Sequence, residues 1–276
     1  MNDFFSLIRI KVVLSVILSA TLGFVYGGQS FNKQYFLVVV GIFFLSSGCS
    51  VLNQIQEVQT DKIMERTKNR PIVKGAVSYS QAIILAALFI IIALIALYTI
   101  NLTVFLLGVL TVVVYNLFYT PLKLKTYYSI LIGAFIGSIP PLIGFLTLSN
   151  RLNYTIINIA TIFYLWQIPH FWLITELYKS DYQKIKYPFL RDKLSKDSYN
   201  KIFTIWISAY VISIINLLIL ESNEYLLIIF LILIFILILI YMKNYYNNKR
   251  IYLYHNLFLG IITIILIIKK VILQSF

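Results

Sequence analysis

Charge is what this sequence has least of. Of its 276 residues only 12% are Asp, Glu, Lys or Arg, against roughly 25% in a soluble domain. Hydrophobic residues make up 60%, and the mean hydropathy is +0.88. A soluble globular protein is excluded on that ground, and a disordered chain more firmly. Cysteine is nearly missing as well. Cys49 alone can supply neither an internal disulfide framework nor a multi-cysteine metal site. Acids are scarcer than bases, ten against 23, which leaves a net charge of +13. Such an excess can signal a nucleic-acid partner, but in a membrane protein it more often marks cytoplasmic loops.

Long apolar runs are what the chain has instead. At about 20 residues per bilayer crossing, its length supplies eight to ten crossings. Nine runs are found, over residues 10–28, 35–52, 79–99, 102–119, 128–148, 154–174, 201–220, 224–242 and 252–273. None alternates in the manner of a strand, and a helix satisfies its own backbone in lipid. The expected fold is therefore all-α: a polytopic membrane protein of nine transmembrane helices, forming one domain over residues 1–276. Arg9 and Lys11 before the first run resemble the start of a secretory signal. That run is long for one, however, and eight more follow, so it is expected to remain as a helix of a bacterial inner-membrane protein. Lys33, Arg151, Lys269 and Lys270 fall on one side of the membrane, and the other nineteen cations fall on the side of the N-terminus. This asymmetry places the N-terminus in the cytoplasm and the C-terminus outside, and no nucleic acid is needed to explain the charge.

The few acids are informative. Five of the ten lie near two cytoplasmic helix ends: Glu57, Asp61 and Glu65 after the second run, Glu176 and Asp181 after the sixth. Glu65, Asp192 and Asp197 read as solvated loop charges. Asn53, Glu57 and Asp61 are four apart, so on a helix they share one face. Three oxygen-bearing side chains in a row suit a hard cation such as Mg2+. Lys62, Arg66 and Arg70 follow at the same spacing, then Pro71. An acidic row before a basic row suggests a metal-bridged diphosphate, its remaining oxygens taken by guanidinium forks. The two loops that hold this chemistry span about 53–78 and 175–200.

A second cluster is Trp166-Gln167-Ile168-Pro169-His170-Phe171-Trp172. Pro169 within a helix removes a backbone hydrogen bond, and His170 then projects from a kink near the cytoplasmic end. A packed aromatic belt with a satisfied histidine accounts for the same residues. His255, with no acid nearby, reads as structural. Gly133, Gly137, Pro140 and Pro141 predict close helix packing and a break in the helix.

Taken together, these motifs resemble the intramembrane prenyltransferases of the UbiA type. Asn53-xxx-Glu57-xxx-Asp61-xx-Met64-x-Arg66-Thr67-xx-Arg70-Pro71 is similar to the first signature of that family, with a tail like that of its heme O synthase branch. Tyr119-Thr120, Leu122-Lys123-x-Lys125-Thr126 and the Gly133 to Gly144 segment resemble the central signature. Trp166 to Trp172, with Asp181-Tyr182 and Pro188, resemble the third. Glu57 stands where the family more often has aspartate, and Ser180 where a further acid often precedes the aspartate.

The resemblance implies a helical bundle around a central cavity that opens to the cytoplasm and laterally to lipid. It implies an Mg2+-dependent enzyme that joins farnesyl diphosphate to a vinyl group of heme B, adds water, and gives heme O and diphosphate. Asn53, Glu57, Asp61 and Asp181 would be the catalytic and metal-holding residues. Lys62, Arg66, Arg70, Lys123 and Lys125 would take the diphosphate. Trp166, Gln167, His170, Trp172 and Tyr119 would line the acceptor pocket, with His170 contacting heme or positioning it. Heme-handling or terminal-oxidase proteins are partners such an activity implies. Two other functions compete: a prenyltransferase acting on an aromatic quinone precursor such as 4-hydroxybenzoate, and a secondary transporter. The third signature argues against the first. The acids at helix ends, rather than at the bilayer midplane, argue against the second.

Overall fold

The computed structural model describes residues 2–28, 31–221 and 248–274, and every regular element among them is helical. A short α1 (Asn2–Leu7) leads into α2 (Ile10–Tyr26), α3 (Lys33–Gln56) and the brief α4 (Val58–Ile63). After a loop come α5 (Tyr79–Tyr98) and α6 (Leu102–Val112). The latter runs on through a π-helical turn (Val113–Tyr119) into α7 (Thr120–Leu122). Then follow α8 (Ser129–Leu146), α9 (Tyr154–Leu177), the short α10 (Lys179–Lys184), α11 (Lys196–Leu220) and α12 (Asn248–Gln274).

Seven of these spans are long and apolar enough to cross a membrane, and Ile10–Tyr26 is a shorter apolar helix. They match eight of the nine expected runs. The run at 224–242, with Lys243, lies outside the described residues. Local chemistry sets many of the starts. Asn32, Asn101, Asn153 and Ser195 each accept a backbone N–H three residues on, and Ser78 and Gln81 form a reciprocal capping box. Ile84, Ile91 and Ile95 stand exposed on α5, as side chains facing lipid do.

Helices pack where small residues let them approach. A Cβ built on Gly23 of α2 would lie 1.9 Å from the Pro141 carbonyl oxygen, and one on Gly144 of α8 would lie 1.9 Å from that of Ala20. The backbones of α2 and α8 are thus in direct contact, which a membrane bundle gains from van der Waals packing rather than from apolar burial. Gly41 and Gly48 of α3 seat against Leu97, Ala86 and Ile90 of α5 in the same way. The break expected at Pro140 and Pro141 does not occur. The helix continues from Ser129 to Leu146 with both prolines inside it, held by its close packing against α2. At Gly133 and Gly137 the nearest neighbours are side chains rather than backbone. These two glycines make room for the side chains of Tyr119, Phe171 and Gln167.

At one end of the bundle Glu221, which caps α11, pairs with Lys269 at 2.7 Å and Lys270 at 3.3 Å on α12. Lys270 also lies over the Tyr26 ring. The acidic motif lies where α3 passes into α4.

Gly144→Ala forces two backbones apart and is expected to cost about 1–3 kcal/mol. Gly260→Ala, with no atom of another element within 4 Å of the new methyl group among the described residues, is expected to be neutral or slightly stabilising. Thermal unfolding of both variants in detergent compares them, and equal midpoints would contradict the close crossing.

Candidate active site

The acidic row keeps its expected register. Glu57 interrupts the helix between α3 and α4, yet its N–H bonds the Asn53 carbonyl at 3.0 Å, and the Asp61 N–H bonds the Glu57 carbonyl at 2.8 Å. All three side chains are buried. The basic row does not continue as a helix. Met64 is extended, the Thr67 hydroxyl bonds the Asp61 carbonyl at 3.2 Å, and the chain turns back on itself. This turn brings Arg70 beneath the acids and leaves Lys62 exposed. Arg70 pairs with Asp61 and lies 3.7 Å from Glu57 Oε2, so two carboxylates converge on one guanidinium.

Two more cations reach this point from elsewhere in the chain. Lys123, just past α7, pairs with Glu57. Arg9 donates to Asn53 Oδ1 at 2.8 Å, while Asn53 Nδ2 donates to the Thr120 hydroxyl at 3.1 Å. The sequence treated Arg9 only as a loop charge. It holds φ at +55°, a left-handed conformation that costs a non-glycine residue roughly 1–2 kcal/mol. No pattern around Arg9 signals this. Its partner lies 44 residues away, so only the folded chain reveals it.

Electrostatics separate the two acids. Burial works against ionisation of Glu57, but Lys123, Arg9 and Arg70 outweigh it and hold the carboxyl below its ordinary value. For Asp61 burial wins. Together with the nearby Glu57 it holds the carboxyl above its ordinary value in spite of Arg70. Burial also lowers Arg70 and Lys123.

Asp181, at the start of α10, is buried and meets the same loop from the other side of the sequence. Its Oδ2 accepts the Arg66 backbone N–H at 2.9 Å, and Lys184 lies 3.5 Å away. Burial opposes its ionisation, but the Arg66 and Glu65 N–H groups and Lys184 lower it below its ordinary value. The Arg66 guanidinium bonds the Tyr182 hydroxyl at 3.2 Å and lies over the Tyr178 ring. Among the described residues no three acidic, histidine or cysteine side chains form one metal-holding group. Glu57 and Asp61 converge as a pair, while Asp181 is held against the same loop by the Arg66 N–H and does not join them in one group.

Aromatic rings lead away from the acids. Tyr115 stacks on Tyr119 at 5.5 Å, Tyr119 on Phe171 at 5.8 Å, and Phe171 meets His170 edge-on at 5.8 Å. His170 lies 4.6 Å from the Trp166 ring and 5.3 Å from that of Tyr252. Gln56 Nε2 bonds the Asn116 carbonyl, and Asn116 Nδ2 bonds the Cys49 carbonyl, so the π-helical turn is fastened to α3. Such turns occur often at functional sites.

Some expected residues stay outside. Lys125 is exposed, like Lys62. Trp172 packs against Tyr199 and Phe203 of α11, and Gln167 lies over Gly137. Glu176 is a structural acid that holds Arg191 at 2.8 Å, and Glu65 is an exposed one paired with Lys68. His255 is fully buried, with Nε2 3.0 Å from the Trp166 carbonyl, as a structural histidine should be.

Lys123→Met removes the nearest cation from the buried Glu57, which keeps Arg70 at 3.7 Å, and is expected to cost about 1–3 kcal/mol, most of which adding Glu57→Gln should recover. Unfolding midpoints of the two singles and the double in detergent test this coupling. A Lys123→Met midpoint at the wild-type value would show that the pair is not needed.

The chain has clear relatives. The UbiA prenyltransferase family matches residues 13–268. The protoheme IX farnesyltransferase of Nitratidesulfovibrio vulgaris is 31% identical over 215 residues, 77% of this chain and 75% of the relative. That of Baumannia cicadellinicola is 35% identical over 224 residues, 79% and 78% of the two chains. A solved UbiA homolog from Archaeoglobus fulgidus, bound to GPP and Mg2+, shares the fold at TM-score 0.73 and 16% identity, covering 99% of this chain and all of its own. An all-helical membrane bundle, with buried acids and bases gathered where α3 passes into α4, here meets a family match over nearly the whole chain: this protein belongs to the UbiA prenyltransferase family.

Proposed function

We propose that this prenyltransferase moves a farnesyl group from farnesyl diphosphate to a vinyl group of heme B, with addition of water, to give heme O and diphosphate. The observation that carries the reading is the convergence of Glu57 and Asp61 on Arg70, with Lys123 and Arg9 closing round them. Relatives named protoheme IX farnesyltransferase, alike over about three-quarters of their length, support heme B as the acceptor.

The donor set fits Mg2+, because the converging side-chain atoms are carboxylate oxygens and the nearby ring and amide groups leave no thiolate or imidazole at that point. Glu57 and Asp61 would hold the ion, with Asp181 across the loop and Asn53 sharing the oxygen it now offers Arg9. Bound there, Mg2+ would neutralise diphosphate oxygens and make them a better leaving group.

The protein's own side chains do the remaining work. Glu57 and Asp61 are already paired with bases, so substrate binding is an exchange in which Arg70 and Lys123 turn from carboxylates, Arg9 from the Asn53 amide and Arg66 from the Tyr182 hydroxyl, to phosphate oxygens. As the allylic C–O bond breaks, negative charge grows on the diphosphate, and these fixed cations stabilise it. The rings of Tyr115, Tyr119 and Phe171 line the way to the acceptor and limit capture of the allylic cation by stray water. Carbon–carbon bond formation at the vinyl group leaves a cation on the acceptor, which takes a water oxygen and loses a proton.

In this reading residues 1–276 act as one domain of the bacterial inner membrane, with the N-terminus and the acidic site cytoplasmic and the C-terminus outside. Heme-handling or terminal-oxidase proteins would receive the product.

Purified protein incubated with heme B, farnesyl diphosphate and Mg2+ is expected to yield a farnesylated, hydrated heme. Asp61→Ala and Asp181→Ala should each abolish turnover while the protein remains folded in membranes. Glu57→Asp should be milder, because it keeps the charge. Unchanged heme alongside prenylated 4-hydroxybenzoate would replace the acceptor, and full activity of either alanine variant at low Mg2+ would remove the metal-holding role.

A further inference from the structure

The chain has two histidines, and their hydrogen bonds fix opposite tautomers. His255 Nε2 faces the Trp166 carbonyl at 3.0 Å, and a carbonyl only accepts, so Nε2 of His255 carries its proton. The Trp166 indole N–H bonds back to the His255 carbonyl at 3.2 Å, and the two rings stack at 5.6 Å. His255 is fully buried and committed to this pairing.

His170 is set the other way by Asn256. The Asn256 Nδ2 donates to the Tyr252 carbonyl at 2.5 Å, one turn back on α12, which settles the orientation of the amide. Its Oδ1 therefore faces His170 Nδ1, 2.7 Å away, and an amide oxygen only accepts. The proton must sit on His170 Nδ1, and Nε2 keeps its lone pair. Among the described residues His170 Nε2 has no hydrogen-bond partner, on a side chain that is only half-buried. The ring lies between Trp166 and Tyr252, at the end of the row of rings that starts at Tyr115 beside the acids.

We propose that Asn256 is a positioning residue that holds His170 as an axial ligand for the iron of the heme acceptor, through Nε2. The inference rests on the heme reading above and deepens it. An imidazole with Nδ1–H anchored on an oxygen and a bare Nε2 is the form in which histidine binds iron, and the anchoring acceptor sets both ring orientation and ligand strength. Flat aromatic neighbours suit a flat macrocycle. Ligation at His170 would fix the macrocycle at one point, and so place its vinyl edge relative to the diphosphate without any contact between His170 and the reacting carbon. No sequence pattern singles out Asn256. It lies 86 residues from its partner, on the helix where only His255 drew notice.

The test uses the full chain carrying a histidine-free affinity tag, in lipid nanodiscs, titrated with ferric protoheme IX. Optical and EPR spectra report the axial ligand, and farnesyl diphosphate affinity reports folding of the opposite half of the site. The wild type is expected to show an imidazole-ligated heme. His170→Ala should lose that signature and regain it on addition of free imidazole. Asn256→Leu, which deletes the acceptor, should weaken protoheme binding about 10- to 100-fold. Asn256→Asp keeps an acceptor oxygen and should ligate at least as well as wild type. Farnesyl diphosphate affinity should stay unchanged in all three. A wild-type heme spectrum in His170→Ala, or equal protoheme affinity in Asn256→Leu and wild type, overturns the proposal. If those variants also convert heme B normally, only the ligation falls and the heme reading stands. Failure of the wild type both to bind and to convert protoheme overturns the two together.

Discussion

Buried negative charge is the constraint around which this protein is arranged. Glu57 and Asp61 lie within the folded chain, where an unpaired carboxylate would be neutralised or would destabilise the fold by several kcal/mol. Their compensating cations come from three stretches: Arg70 just after α4, Lys123 after α7, and Arg9 ahead of α2, which bonds Asn53 and acts on Glu57 through its charge. Each pair therefore ties a separate part of the chain to the end of α3. In the proposed reaction, the groups offered to the diphosphate are the same groups that the acids require in order to be buried. Binding and folding draw on one set of charges.

The polar contacts around this centre explain why α3 and the π-helical turn stay in register. Asn53 to Thr120, Gln56 to Asn116 and Asn116 to the Cys49 carbonyl form a seam of directional bonds inside an apolar bundle. The seam fixes where Tyr115 and Tyr119 project. The glycines act in two ways. Gly23 and Gly144 bring backbones together and set the crossing of α2 and α8, whereas Gly133 and Gly137 leave room for the Tyr119 and Phe171 rings and the Gln167 amide. Composition alone does not distinguish a glycine that admits a backbone from one that admits a side chain.

The opposing tautomers of His170 and His255 extend the same logic to the far end of the row of rings. Both rings contact Trp166. One is closed off by a carbonyl and the other is held open by an amide oxygen. The difference comes from Asn256, a single polar side chain on α12.

Much of this was legible in the sequence because it depends on local pattern. Apolar runs of bilayer length must be helices in lipid. The spacing of Asn53, Glu57 and Asp61 kept its one-face register, because backbone bonds four residues apart persist through the interruption at Glu57. What failed was extension of a local pattern beyond its element. Lys62 shares the spacing of Arg66 and Arg70, yet the helix ends at Ile63 and the side chain points to solvent. Pro140 and Pro141 would end an isolated helix, but packing against α2 overrides the preference. Arg9 and Asn256 were invisible, since their roles lie in partners 44 and 86 residues away. The sequence by itself determined which segments are apolar enough to lie in a membrane and which acids must find cations. The tertiary structure decided which cations those are and which histidine nitrogen is left free, because both depend on distances that no one-dimensional spacing encodes.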